Sequence, residues 1–283
     1  MQLESEWVSY DTPEGPTSAY LARPATAGEP LPGILVIQEI WGVDEHIVDV
    51  TERLAAAGYA ALAPDLFSTG GGRPEVLSFE RVEWTKSFLN TIPPDQWMAV
   101  LGNDGARAEA LAKLPADRGP VVGETLGALF GTAGDTSRHL PVLQAAVSYL
   151  RAHPACGGRP VGSVGFCMGG GLSAHLASSD AGLSGAAIFY GGSPSAEEAG
   201  HISCPVRGFY GQDDPNVVAG LPAFDEALTK AGIDHDLRVY PSTPHAFFND
   251  TRPSYRPEAA RDAWGHLLAF FAEILGRVAA AAP

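Results

Sequence analysis

The chain has few cysteines, few basic residues and no long apolar run. Its 283 residues include 3 cysteines, Cys156, Cys167 and Cys204. An odd number without Cys-x-x-Cys or Cys/His ligand spacing argues against a disulfide framework or a metal site, and a reduced, cytoplasmic setting is expected, where a free thiol persists. Lys and Arg number 18 against 33 Asp and Glu, a formal net charge of −15. Nucleic acid and anionic membrane surfaces are themselves negative, so neither is expected as a partner. The apolar stretches break off well short of the ~20 residues that cross a bilayer. The opening Met1-Gln2-Leu3-Glu4-Ser5-Glu6 is acidic and polar, unlike a secretory leader. No cofactor or metal is implied. A monomer or homodimer acting on a small molecule is the expectation.

What is present suits a large core. Apolar residues make up 45% and charged residues 18% of the chain, ordinary for a globular protein. The length fits one large α/β domain or two small ones, and a single domain over 1–283 is the reading taken here. Residues 7–10 and 18–22, separated by Pro13-Glu14-Gly15-Pro16, predict an antiparallel hairpin. Gly33-Ile34-Leu35-Val36-Ile37 and Tyr59-Ala60-Ala61-Leu62-Ala63 are continuous apolar runs of the kind buried on both faces of a parallel sheet, with a helical pattern at 49–57 between them. Further strands are predicted at 160–164, 186–190, 206–210 and 237–240, and helices at 139–152, 169–178, 221–231 and 257–279. This alternation implies a doubly wound, mostly parallel sheet with helices on both faces. Residues 68–137 break the rhythm. They open with Gly70-Gly71-Gly72, contain Pro93-Pro94 and show helical patterns near 79–89 and 104–114, which suits either a lid over the strand ends or a surface excursion.

Gly165-Phe166-Cys167-Met168-Gly169 directly follows the apolar run Val161-Gly162-Ser163-Val164. Glycines two residues either side of a nucleophile-capable side chain, between a strand and a helix, form the pattern of a nucleophile elbow with cysteine in the usual place of serine. A buried structural cysteine is the plain alternative for the pentapeptide alone. Later strand ends carry Gly211-Gln212-Asp213-Asp214-Pro215 and Pro241-Ser242-Thr243-Pro244-His245. Nucleophile, acid and histidine therefore follow in the chain order of the α/β-hydrolase fold. His245 would take the thiol proton, and the acid would orient the imidazole. Asp214, ahead of Pro215, is the chosen acid and Asp213 the alternative. His46, His139, His153, His175, His201, His235 and His266 are assigned surface or core roles.

Together Gln38-Glu39-Ile40-Trp41-Gly42, Pro64-Asp65-Leu66-Phe67, Gly165-Phe166-Cys167-Met168-Gly169-Gly170, Asp214 and His245 resemble the dienelactone hydrolase family of α/β-hydrolases. The resemblance implies hydrolysis of an ester or lactone through a thioester on Cys167, with Asp214 and His245 completing the triad. It matches the family glutamate that contacts the resting thiol to Glu39, and the oxyanion N–H donors to Ile40 and Met168. It also exposes a departure. Two arginines hold the substrate carboxylate in dienelactone-opening members, and Thr69 and Asn249 stand in their places here. Arg73 and Arg252 lie close enough in sequence to substitute, or are solvated surface residues. Trp41, Phe67, Tyr190 and Phe247 are the candidate aromatic contacts to substrate, or ordinary core. A hydrolase of neutral aromatic or aliphatic esters, and a non-catalytic ligand sensor on the same fold, are the competing functions.

Overall fold

Side-chain alternation along the buried strands decides the architecture. The computed structural model describes residues 2–93, 96–132 and 135–276. Strands β1 (Leu3–Thr12), β2 (Gly15–Pro24), β3 (Gly33–Ile37), β4 (Ala60–Pro64), β5 (Val161–Phe166), β6 (Ala186–Phe189), β7 (Val206–Gly211) and β8 (His235–Tyr240) form one sheet in the order β1-β2-β4-β3-β5-β6-β7-β8. The pairs β1·β2 and β2·β4 are antiparallel and the others parallel. Along β3, Leu35 and Ile37 enter one apolar cluster while Ile34 and Val36 enter another. A period of two thus feeds both faces of the sheet from one short strand, which is why β3, β4 and β5 are buried throughout.

Helices α6 (Thr136–Ala152), α7 (Met168–Ser179) and α10 (Leu221–Ala231) cover the first face, and α1 (Glu45–Ala56) and α11 (Pro257–Gly276) the second. Helix α1 starts ahead of the expected 49–57 because Asp44 caps it, accepting from the Ile47 N–H at 3.2 Å. The hairpin strands are longer than expected, since their outer residues pair across the sheet edge without needing an apolar pattern. Residues 277–279 of the expected last helix lie outside the described residues, as does Pro94. Short helices α8 (Ala196–Ala199) and α9 (Pro215–Val218) complete the loops after β6 and β7.

Within 68–137 lie a 3-10 turn, Glu75–Leu77, and helices α2 (Phe79–Asn90), α3 (Trp97–Gly102), α4 (Asp104–Leu111) and α5 (Gly119–Thr132). The α3 and α5 helices were not legible in the sequence. Gly119, Gly123, Gly127 and Gly131 recur along α5, and each glycine costs a helix about 1 kcal/mol relative to alanine. Packing offsets that cost: Val122, Leu126 and Leu129 are buried with Val82, Phe88 and Leu89 of α2, and Arg81 ties the two helices through Thr125, Val121 O and Glu124. The same cluster contains Ile40, Trp41 and Phe67 from the loops after β3 and β4. A buried ion pair at 2.7 Å joins Lys86 of α2 to Asp44 at the start of α1.

Candidate active site

Strand β5 delivers Cys167 into a turn that only glycine neighbours allow. A Cβ on Gly165 would stand 1.8 Å from the Gly169 carbonyl oxygen, and one on Gly169 would stand 2.3 Å from the Ile37 oxygen. Cys167 itself has φ +55°, a region costly for a residue with a side chain and common at functional sites. The strain is held by backbone bonds: Cys167 N–H donates to Phe189 O at 3.0 Å and Gly170 N–H to Cys167 O at 3.0 Å. Met168 is the first residue of α7, so its N–H has no acceptor within the helix and the positive end of the helix lies behind the sulfur.

The loops after β7 and β8 are laced together, with Asp213 N–H donating to Thr243 O at 2.9 Å. That contact turns the Asp213 side chain to solvent and leaves Asp214 buried. His245 Nδ1 meets Asp214 Oδ2 at 2.5 Å, so the acid in contact with the imidazole is Asp214. Burial pulls the His245 pKa down, but the charge of Cys167 and hydrogen bonds to Asp214 and Cys167 hold it well above the ordinary histidine range. The imidazole therefore stands between acid and thiol.

Glu39 is buried on the loop after β3, a turn closed by Gly42 N–H to Glu39 O at 3.3 Å. Gln38 explains the pairing of the two sequence motifs, because its Oε1 accepts from Leu66 N–H at 3.0 Å. Both Glu39 oxygens are occupied. Tyr190 Oη donates to Oε1 at 3.0 Å, and Asn249 Nδ2 donates to Oε2 at 2.7 Å. Tyr190 has φ +40° and its ring lies edge-on to His245, with centroids 5.1 Å apart. Burial, then the charge of Glu39, pushes the phenol pKa well above its ordinary value, which keeps the proton on the donor.

Arg73 and Arg252 have different fates. Arg73 Nε pairs with buried Asp65 at 2.7 Å, Nη1 donates to Leu77 O at 3.3 Å, and the guanidinium stacks on Phe79. It pairs with Asp65 at the base of the inserted helices, while its Nη2 is buried beside Gly42 with no hydrogen-bond partner. Arg252 is 6% exposed and makes no ion pair within 4.0 Å among the described residues. Its guanidinium lies 4.9 Å from the Trp41 ring centroid and 4.7 Å from that of Trp97 in α3, and Nη1 has no hydrogen-bond partner there. Burial lowers its pKa, opposed by the charges of Glu39, Asp44 and Cys167. The cation thus lies within electrostatic reach of Glu39 and Cys167.

Phe247 is fully buried against Phe189, Tyr190 and Tyr240 and is part of the sheet core. Tyr190 is likewise inside the core, with its hydroxyl committed to Glu39. Trp41 and Phe67 belong to the cluster under the inserted helices. His46 is core, packed against Phe166 and Phe248. Cys156 and Cys204 are buried, and burial raises both thiol pKa values, that of Cys204 to about 12. Trp97 and the Glu39-binding role of Asn249 were missed in the sequence. Trp97 carries no local signal, whereas Asn249 had been visible as the residue replacing an arginine. No group of three or more metal-ligating side chains occurs among the described residues.

A family model, the dienelactone hydrolase family, matches residues 17–275. The chain belongs to the dienelactone hydrolase family. A carboxymethylenebutenolidase-like protein of Saccharolobus solfataricus is 33% identical over 273 residues, covering 96% of this chain and 99% of that one. Another, from Methylorubrum extorquens, is 32% identical and covers 91% of this chain and 77% of its own. Among solved structures, a dienelactone hydrolase-like protein of Klebsiella pneumoniae subsp. pneumoniae superposes with a TM-score of 0.71 at 28% identity, covering 96% and 99% of the two chains. A dienelactone hydrolase-like promiscuous phosphotriesterase from metagenomic libraries shares the fold, with a TM-score of 0.70 at 22% identity and coverage of 97% and 99%. The sheet described above is accordingly an α/β-hydrolase sheet, and the protein is a dienelactone hydrolase-like hydrolase. No helix among the described residues is long and apolar enough to cross a membrane.

Proposed function

We propose that the protein hydrolyses a small carboxylic ester or lactone through a thioester on Cys167. The observation that carries this reading is the imidazole of His245 set between Asp214 and Cys167. His245 takes the Cys167 thiol proton as the sulfur donates an electron pair to the substrate carbonyl carbon, and the carbonyl π electrons move onto oxygen. Backbone N–H groups of Ile40 and Met168 hold that oxyanion. Collapse expels the alkoxide, which takes the proton from the imidazolium of His245. Water then attacks the thioester with His245 as base, and Cys167 leaves as thiolate.

The substrate we infer carries a carboxylate. A guanidinium buried between two indole faces, with no ion pair within 4.0 Å among the described residues and its Nη1 without a hydrogen-bond partner, can receive an anion there. Residues 68–137 are read as a lid, since they bury Ile40 and Trp41 and bring Trp97 against Arg252. Replacing Cys167 by alanine should lower turnover of an aryl ester by at least about 10³-fold with the fold intact. Mass spectrometry of the unaltered protein during turnover should find an acyl adduct on Cys167. Full activity in Cys167→Ala would sink the proposal, and reversible binding with neither adduct nor released acid would support a ligand sensor instead.

A further inference from the structure

We propose that the free edge of β8 is an interface for a second copy of this chain, paired antiparallel about a two-fold axis at Leu237 so that Asp236 of each copy faces Arg238 of the other.

Strand β8 ends the sheet, with β7 as its neighbour among the described residues. The parallel register decides which backbone groups it has left. Val206 N–H donates to Asp234 O and Gln212 N–H to Tyr240 O, both at 2.9 Å. The even positions of β8 therefore spend their N–H and C=O groups on β7, and His235, Leu237 and Val239 aim theirs at the open edge. Such a row of groups is a template for another strand unless it is blunted. Here it is not: Val239 is 42% exposed on this strand, and its neighbours are half-buried.

The charges select both the occupant and the register. Antiparallel self-pairing in which outward groups meet outward groups sets one residue opposite its own copy. An axis at Asp236 would put carboxylate against carboxylate, and one at Arg238 guanidinium against guanidinium. An axis at Leu237 brings unlike charges together at the close, non-hydrogen-bonded positions on either side. His235 then exchanges backbone bonds with Val239, and Leu237 with its own copy. The ladder also ends without loss. Beyond it Pro241, which has no N–H, stands opposite Ile233, whose N–H already donates to Leu228 O at 3.0 Å. Within one chain Asp236 and Arg238 pair at 2.8 Å with both side chains partly exposed. Two such pairs join as an alternating cluster, so the contact itself is neutral although each chain carries a formal charge of −15. The opposite edge of the sheet lacks this property. Strand β1 carries Glu4, Glu6 and Asp11 without a cation, and a second β1 would offer those carboxylates no partner.

Sedimentation velocity at about 50 µM chain should find the unaltered protein as a dimer. Asp236→Arg puts cations at both charged positions and Arg238→Asp puts carboxylates at both, so each variant alone should dissociate at least about tenfold more readily. Mixed one to one, the two variants should form a heterodimer tighter than either forms with itself. Hydrogen exchange at the amides of His235, Leu237 and Val239 should be slow in the mixture and fast in each variant alone. Val239→Pro, which deletes an N–H that β7 does not use, should give a monomer with unchanged circular dichroism. A monomeric unaltered protein would leave this edge open to a different polypeptide and overturn the proposal. A dimer indifferent to the charge variants or to Val239→Pro would place the contact elsewhere and overturn it as well, as would a mixture no tighter than its components.

Discussion

Asn249 donates to Glu39 at 2.7 Å across 210 residues of chain. In the family pattern an arginine serves the substrate from that place. Here the residue holds Glu39, and Arg252, with no ion pair within 4.0 Å among the described residues, is the cation packed on Trp41 and Trp97.

The electrostatics of His245 make a directional pH prediction. Burial alone lowers its pKa, and Cys167 is the largest opposing influence. In Cys167→Ala that influence is gone, so His245 should titrate lower than in the parent protein, as read from the imidazole Cε1–H resonance in NMR. Acylation needs the imidazolium to protonate the leaving group, so kcat/KM should fall on the alkaline side as pH rises through a value above the ordinary ~6.5 of histidine. An equal or higher His245 value in Cys167→Ala would refute this account of the pair.

Substrate charge should depend on Arg252. Arg252→Gln should raise KM for carboxylate-bearing esters by roughly 10- to 100-fold, the value of one or two charge-assisted hydrogen bonds, and leave neutral aryl esters within about threefold. The steady-state comparison of matched charged and neutral esters decides it. Equal losses on both would assign Arg252 a packing role between Trp41 and Trp97.

The inserted helices should be anchored by Lys86. Its ammonium is almost wholly buried against Asp44, which also caps α1. Lys86→Met leaves the Asp44 carboxylate buried without its cation, a change that costs about 3–5 kcal/mol. Chemical denaturation should show that loss, and limited proteolysis should cut first within 68–137.

The elbow glycines should tolerate no side chain. Gly165→Ala places a Cβ 1.8 Å from backbone oxygen, where nothing flexible can yield, so it should destabilise the fold by more than about 3 kcal/mol. Gly127→Ala, in open space on α5, should gain up to about 1 kcal/mol. Thermal unfolding of the two variants checks both signs.

Legibility followed the range of the forces involved. Strand β3 was read with its observed bounds because burial on both faces leaves an unbroken apolar run. Cys167 and its glycines were legible because the elbow is enforced within five residues. The α5 helix was not, since its glycines oppose a helix and only α2 and the loops beneath make up the difference. Arg73 and Arg252 looked alike as arginines a few residues past their motifs. Their partners, Asp65 in one case and two indole faces in the other, separate them.

The sequence by itself determined the α/β-hydrolase order of strands and helices, the elbow and the identity of the loops that end the strands, because periodicity and steric demand act over a few residues. Only the tertiary structure decided which oxygen each donor meets: Asp214 and not Asp213 on His245, Asn249 and Tyr190 on Glu39, and Arg252 with no ion pair within 4.0 Å among the described residues. Those outcomes depend on ångström distances between residues far apart in the chain, and hydrogen bonds and buried charges are settled at that scale.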